Sequence, residues 1–329
     1  MKKKSRISLF IIAIVVICVI VFFLIKPSTI PKIVIFNLLS HPILDDSVSG
    51  ILDGLSLNGI DEANYEIIMI NANGEMDKLN TLAKEVLLLK PKLIIPVSTP
   101  VTNAVFSEAD PEQMILFSTV TNPDDVKMQT NPPNMTGVCD VVNYNANLNL
   151  IREMFPIMNK KKRKLNVGFL YNPAEANSVY GLKQIEDLIK EDYNFKLHVL
   201  PVTSVNEVID GAQALVRKID VFYVGSDNTV VSAISALNSV AKRYNIPVIA
   251  SDAGSVNNEA LAAISVNYYE LGLYAGRKAA EIIKNGAMPD DRTPHYFLGE
   301  SLLINQNTAN NIRYKFSQDI LNKADQVIE

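Results

Sequence analysis

Residues 200–234 read LPVTSVNEVIDGAQALVRKIDVFYVGSDNTVVSAI. An apolar strand ends in a polar turn, a helix follows, and a second strand, DVFYVGS, runs through Asp227 and Asn228 into another helix. Residues 70–106, INANGEMDKLNTLAKEVLLLKPKLIIPVSTPVTNAVF, pass through the same series at similar spacing. Two similar lobes are the economical reading of that recurrence.

Outward from these segments the pattern holds along the chain from Lys32. Short apolar runs (KIVIFNL, YEIIMIN, KLIIPVS, MILFSTV, LNVGFLY, FKLHVLPV, DVFYVGS, IPVIAS and ALAAISV) alternate with amphipathic stretches. Near-continuous apolar runs suit strands buried on both faces of a parallel sheet. The stretches between them carry helical spacing, as at Leu79, Leu82, Ala83, Val86 and Leu87, or Val230, Ile234, Leu237, Val240 and Ala241. The expected class is α/β, two Rossmann-like lobes with parallel sheets joined by a hinge. The first boundary is expected near Val141–Asn149, ahead of a helix leading to the basic NKKKRK, read as a solvated loop.

At 329 residues the chain is long enough for two ordinary domains with a cleft between them. A formal net charge of −4 lacks the basic excess that phosphate backbones require, so no nucleic acid partner is expected. The first residues, MKKKSRISLFIIAIVVICVIVFFLIK, join four basic residues to an uncharged apolar run from Ile7 to Ile25, about the length that crosses a bilayer core. The basic side stays in the cytoplasm, putting the rest outside it. The run ends in Phe22, Phe23, Leu24 and Ile25 rather than in small residues, so an uncleaved anchor over residues 1–30 is expected. Cys139 is then the one thiol of the remaining chain, and no disulfide can form there.

In open α/β sheets ligands bind beyond the carboxyl ends of the strands, where helix amino termini converge. The turns there are SHPILDD (40–46), STPVTN (98–103), TVTNPDD (119–125), YNPAEANSVYG (171–181), SDNT (226–229) and SDAGS (251–255). Hydroxyls, Asn and Asp dominate them, with no Lys or Arg. Such a rim suits a small zwitterion: hydroxyls and helix N–H groups for a carboxylate, Asp for an ammonium. The same residue types also cap helices, and Ser98, Asp227, Asn228 and Asp252 all stand where caps stand. No GxGxxG after a strand, Walker loop, GxSxG or HExxH occurs, and His41, His198 and His295 lie far apart, so no enzyme, cofactor or metal is expected.

At these turns the chain resembles the solute-binding components of ABC transporters, and within them the branch whose members bind tryptophan or tyrosine. The blocks that carry the resemblance are SHPILDDSVSGILDGL, STPVTNAV, TVTNPDD with NMTGVCD, YNPAEANSVYGLKQIE, GSDNTVVSAI, ASDAGSV and VNYYELGLYAGRKAAEIIKNGAMPDD, from about Lys32 to Ile312. The resemblance implies the type I periplasmic-binding-protein fold closing as a hinged clamp. It implies a first lobe over 31–147 plus 267–292 and a second over 148–266 plus 293–329. Carried over by motif, the ligand would meet Ser40, His41, Ser98, Thr99, Thr119, Thr121, Asn177, Ser178, Asp227, Asn228 and Asp252. First-lobe hydroxyls would hold the carboxylate, and Asp227 or Asp252 the ammonium. Asn228 is expected to cap its helix while Asp227 binds. The sequence departs from the family at TVTNP, where an acidic residue commonly precedes the proline. The expected function is a monomeric, membrane-tethered, extracytoplasmic receptor that delivers an amino acid, aromatic by the resemblance, to an ABC permease and its ATPase. A membrane-tethered ligand sensor using the same clamp is the alternative.

Overall fold

A computed structural model describes residues 30–155, 164–191 and 194–329. The expected anchor and the basic run up to Arg163 lie outside the described residues. Among the described residues no helix is long and apolar enough to cross a membrane.

The strands are β1 (Lys32–Asn37), β2 (Glu66–Asn71), β3 (Leu93–Val97), β4 (Ile115–Val120), β5 (Met135–Val141), β6 (Leu165–Tyr171), β7 (Phe195–Pro201), β8 (Val221–Val224), β9 (Val248–Ala250), β10 (Ala262–Ser265), β11 (His295–Leu298), β12 (Ser301–Asn305) and β13 (Gln326–Ile328). They form two sheets, ordered β11-β5-β4-β3-β1-β2 and β13-β12-β10-β9-β8-β6-β7. Pairing is parallel throughout, except where β12 runs against β10. In each sheet the order reverses beside the first strand of its lobe, β1 or β6, as in doubly wound sheets.

The helices are α1 (Pro42–Leu57), α2 (Leu79–Leu88), α3 (Thr99–Glu108), α4 (Tyr144–Met154), α5 (Ala176–Glu191), α6 (Val205–Leu215), α7 (Asn228–Ser232), α8 (Ile234–Arg243), α9 (Ala253–Asn257), α10 (Tyr268–Asn285), α11 (Gln306–Asn311) and α12 (Gln318–Lys323). Residues of α1, α2, α3 and α10 close over the first sheet in one apolar core around Ile35, Phe36, Ile95 and Phe117. Two cores cover the second sheet, one around Phe222 and Leu237, the other around Phe169 and Tyr223.

Helices α1 and α10 meet backbone to backbone. A β-carbon on Gly272 would lie 2.0 Å from the Ser47 carbonyl oxygen, and one on Gly50 would lie 2.2 Å from that of Tyr269. Only glycine admits this approach, which ties the returning segment to the helix that follows β1.

The chain crosses between the sheets three times, side by side. It passes from β5 to α4 at Val142–Asn143, from β10 to α10 at Val266–Asn267, and from β11 to β12 at Gly299–Glu300. Gly299 N–H donates to the Val141 carbonyl at 2.9 Å and Glu300 N–H to that of Ser265 at 3.2 Å, lacing the crossings together. One boundary needs correction: His295–Leu298, expected in the second lobe, pairs in parallel with β5 at the edge of the first sheet. The chain therefore leaves the first lobe at Gly299, not near residue 293. β5 also escaped the apolar pattern, because Thr136, Gly137 and Asp140 interrupt its run.

Candidate functional site

The carboxyl ends of both sheets face one another beside the crossings. Between them lies a cavity of about 30 Å³, bounded by Leu39, His41 and Leu44 from the first lobe, Ser226, Asp227, Asn228, Ser251 and Asp252 from the second, and Tyr268. A wider recess of about 530 Å³ opens beside it, shared by Leu38, Leu39 and Met76 on one side and Glu175, Val205 and Asn228 on the other. The lobes touch across the cleft: the Thr121 and Ser226 hydroxyls are 2.9 Å apart. Asn177 Nδ2 donates to the Ser226 carbonyl at 2.9 Å, so the second half of that contact is itself held in place.

On the second-lobe side the acidic residues are spent on structure. Asp227 heads α7: its Oδ1 accepts the Val230 N–H at 2.8 Å, and its Oδ2 accepts the Asn172 N–H at 2.6 Å and the Ser178 hydroxyl. Burial, and after it the Glu175 carboxylate, push the Asp227 carboxyl up to about 7, against the donors that favour its charged form. The expectation that Asn228 caps is corrected, because Asp227 is the cap, and both residues border the cavity. Asn228 instead donates from its backbone and side-chain nitrogens to Glu175 Oε2 at 2.9 and 2.7 Å. Thr229 donates to Glu175 Oε1 from its N–H and hydroxyl at 3.0 and 2.7 Å. Asp252 heads α9, where Oδ1 accepts the Ser255 N–H at 2.7 Å and Oδ2 the Ser255 hydroxyl at 2.6 Å, yet it still borders the cavity.

The first-lobe side is less satisfied. Ser98 heads α3 with φ 100° and ψ 155°, a strained conformation for a residue with a side chain, and makes no side-chain cap. Its buried hydroxyl has no partner. Within α3 the N–H groups of the first turn also lack intrahelical acceptors, and Thr99 is buried beside them. His41 heads α1 without capping it; both ring nitrogens are buried and unpartnered. Burial lowers its pKa, while Asp252, Asp45 and Asp46 pull the other way. Its ring lies against α9, since a β-carbon on Gly254 would come 2.8 Å from His41 Cε1. Two expected residues are engaged elsewhere. Thr119, at φ 57° in an irregular end of β4, bonds Ser47 of α1 at 3.0 Å, and the exposed Ser40 donates to Asp45 at 2.8 Å.

Sequence reasoning missed the residues at the crossings. Asp140, 2% exposed near the end of β5, accepts the Tyr268 hydroxyl on Oδ2 at 3.0 Å. Oδ1 makes no well-formed hydrogen bond, although the Thr121 hydroxyl nearby favours the charged form. Burial pushes the carboxyl up to about 7. The hydroxyls of Tyr144 and Tyr223, whose rings meet edge to face at 6.4 Å, are buried and unpartnered as well. A buried polar atom without a partner costs about 1–3 kcal/mol. The unpartnered atoms of Ser98, His41 and Asp140 stand at strand ends of the first sheet, and mark a surface built to be completed by a polar molecule. Among the described residues no group of His, Cys, Asp and Glu could hold a metal ion.

A family model described as ABC transporter substrate binding protein matches residues 32–328. The tyrosine-binding protein of Clostridioides difficile (strain R20291) is 31% identical over 296 residues, covering 85% of this chain and 83% of that protein. A Streptococcus pneumoniae ABC domain solved in complex with L-Trp superposes with a TM-score of 0.82 at 24% identity, covering 91% of this chain and 99% of that one. The ligand-free, open structure of a Clostridium difficile substrate-binding protein with adhesive properties has a TM-score of 0.65 at 28% identity, with 91% and 99% covered.

Proposed function

Because the chain belongs to the ABC transporter substrate-binding protein family, which binds its ligands rather than transforming them, we propose that it captures an amino acid with an aromatic side chain between its lobes. The observation that carries this reading is the gathering of buried, unpartnered polar atoms of Ser98, His41 and Asp140 at the strand ends of the cleft. The carboxylate is held at the first turn of α3 by Ser98 and Thr99, where N–H groups and the positive end of the helix dipole favour an anion. The equivalent seat on α7 is filled by Glu175, which leaves the ligand carboxylate to the first lobe. Leu38, Leu39, Met76 and Val205 give the adjoining recess apolar walls for a side chain.

Binding requires the lobes to part and close. A cavity of about 30 Å³ is far below the roughly 300–1,000 Å³ of small-molecule sites, and the Thr121–Ser226 contact bars the way. The chain superposes better on the L-Trp complex than on the open relative, although the open one is more similar in sequence. That ordering supports a clamp whose closed arrangement is the one described here. The receptor works outside the cytoplasm, tethered through residues 1–30, as a monomer that delivers its ligand to a permease and ATPase. The adhesive properties of the C. difficile relative favour a second role at the cell surface.

A thermal-shift screen against the amino acids tests the ligand class, because a ligand at a hundred times Kd adds about 2.7 kcal/mol. Stabilisation by tyrosine or tryptophan is expected. A shift with sugars or nucleosides and none with amino acids would overturn the reading.

A further inference from the structure

Three buried carboxylates border the cleft and its crossings: Asp227, Asp252 and Asp140. They differ in what their oxygens already do. Both oxygens of Asp227 and both of Asp252 accept hydrogen bonds from their own helix starts or from the neighbouring turn. Asp140 has one oxygen occupied by Tyr268 and one, Oδ1, without a well-formed bond. No ion pair found among the described residues involves Asp140, and no cation contributes to its electrostatics. A carboxylate buried this deeply without a cation is costly unless something positive arrives.

Its position suits that arrival. Asp140 stands two residues before the first crossing, and Tyr268 is the first residue of the helix that follows the second. Tyr268 borders the cavity and carries the contact from it to Asp140. Thr121, beside Asp140, is the residue that reaches Ser226 in the opposite lobe. An ammonium here would therefore touch the crossings and the contact across the cleft together.

We propose that Asp140 Oδ1 receives the ligand's ammonium, with Tyr268 fixing the second oxygen, so that the clamp selects solutes carrying an amine. The assignment rests on the reading of the chain as an amino-acid receptor, and it replaces Asp227 and Asp252 in that role. One consequence is a proton linkage. The groups facing Asp140 are the phenols of Tyr268 and Tyr144, with Thr121 just after β4 and the Cys139 thiol on its own strand, while Asp125 acts on Tyr144 and Asp252 on Tyr268. All are neutral or acidic, so none competes with the ammonium. A carboxyl that holds a proton near neutrality must release it when the ammonium docks.

Calorimetric titration of the full-length chain with L-tyrosine and with 3-(4-hydroxyphenyl)propionate, its counterpart without the amine, tests this directly. The wild type is expected to bind tyrosine roughly thirtyfold or more tighter than the deaminated acid, and Asp140→Asn to lose that preference while Asp252→Asn keeps it. Titrations between pH 6 and 7 in buffers of different ionisation enthalpy are expected to show proton release that Asp140→Asn removes. Selective loss in Asp252→Asn, or an unchanged preference in Asp140→Asn, would overturn the assignment. A deaminated acid bound as tightly as tyrosine by the wild type would do the same. If neither solute binds while another solute class does, the amino-acid reading falls and the assignment falls with it.

Discussion

Glu175 accepts two hydrogen bonds from Asn228 on one oxygen and two from Thr229 on the other, filling the amino-terminal turn of α7 with the protein's own carboxylate. The two lobes repeat a strand–turn–helix plan, yet only the first leaves its helix start unfilled at Ser98. Pseudo-symmetry in the chain thus ends in an asymmetric cleft.

Replacing Glu175 by Gln puts an amide donor opposite N–H and hydroxyl donors. We expect a loss of about 1–3 kcal/mol in urea unfolding, with little change in ligand affinity once folded protein is compared. Unchanged stability with weakened binding would mean that Glu175 faces the ligand instead.

Asp227→Ala removes a cap and the acceptor for Asn172 and Ser178, so a cost of about 1–2 kcal/mol or more is expected in the same measurement. Ser98→Ala removes a hydroxyl without a protein partner and is expected to leave stability within about 0.5 kcal/mol while weakening ligand binding. The pair separates scaffold from site.

Stability should also report on Asp140. Its folded pKa, about 7, stands above the unfolded value near 3.8, so the folded state holds the extra proton between them. The contribution is fully present below about pH 4 and is lost as pH rises through 7. Without ligand, the stability of Asp140→Asn relative to wild type should therefore improve as pH is raised from 5 to 8, measured by chemical denaturation. A difference independent of pH would contradict the buried, unpaired state of the carboxyl.

Gly272→Ala drives a β-carbon into the Ser47 carbonyl and is expected to cost about 1–3 kcal/mol or prevent folding, whereas the same change at Gly299, where a β-carbon would meet its nearest neighbours at an ordinary 3.5 Å, should cost less. Thermal midpoints of the two variants decide it. Equal midpoints would refute the close contact of α1 and α10.

Much of this was legible in the sequence, because parallel strands buried on both faces write themselves as apolar runs. All nine runs named from the sequence became strands, and the strand-end turns did contain the polar rim. What was not legible follows from the same physics. β5 carries Thr136, Gly137 and Asp140 inside its run, so it broke the apolar pattern and concealed the buried acid. Glu175 sits in an ordinary-looking turn, and its partners lie more than fifty residues away. Capping and ligand binding use the same side chains at the same positions, and only the hydrogen-bond partners tell them apart. Asp227 and Asn228 show this: adjacent polar residues at one helix start, both bordering the cavity, yet with hydrogen bonds that hold the helix start and the neighbouring turn.

Equilibrium dialysis of the protein against labelled L-tyrosine and L-tryptophan addresses the central claim most directly. A two-lobed receptor for aromatic amino acids should retain one of them saturably, at one molecule per chain, and lose it when unlabelled tyrosine or tryptophan is added in excess. Retention of neither, by protein whose folding is verified in the same sample, would contradict the account.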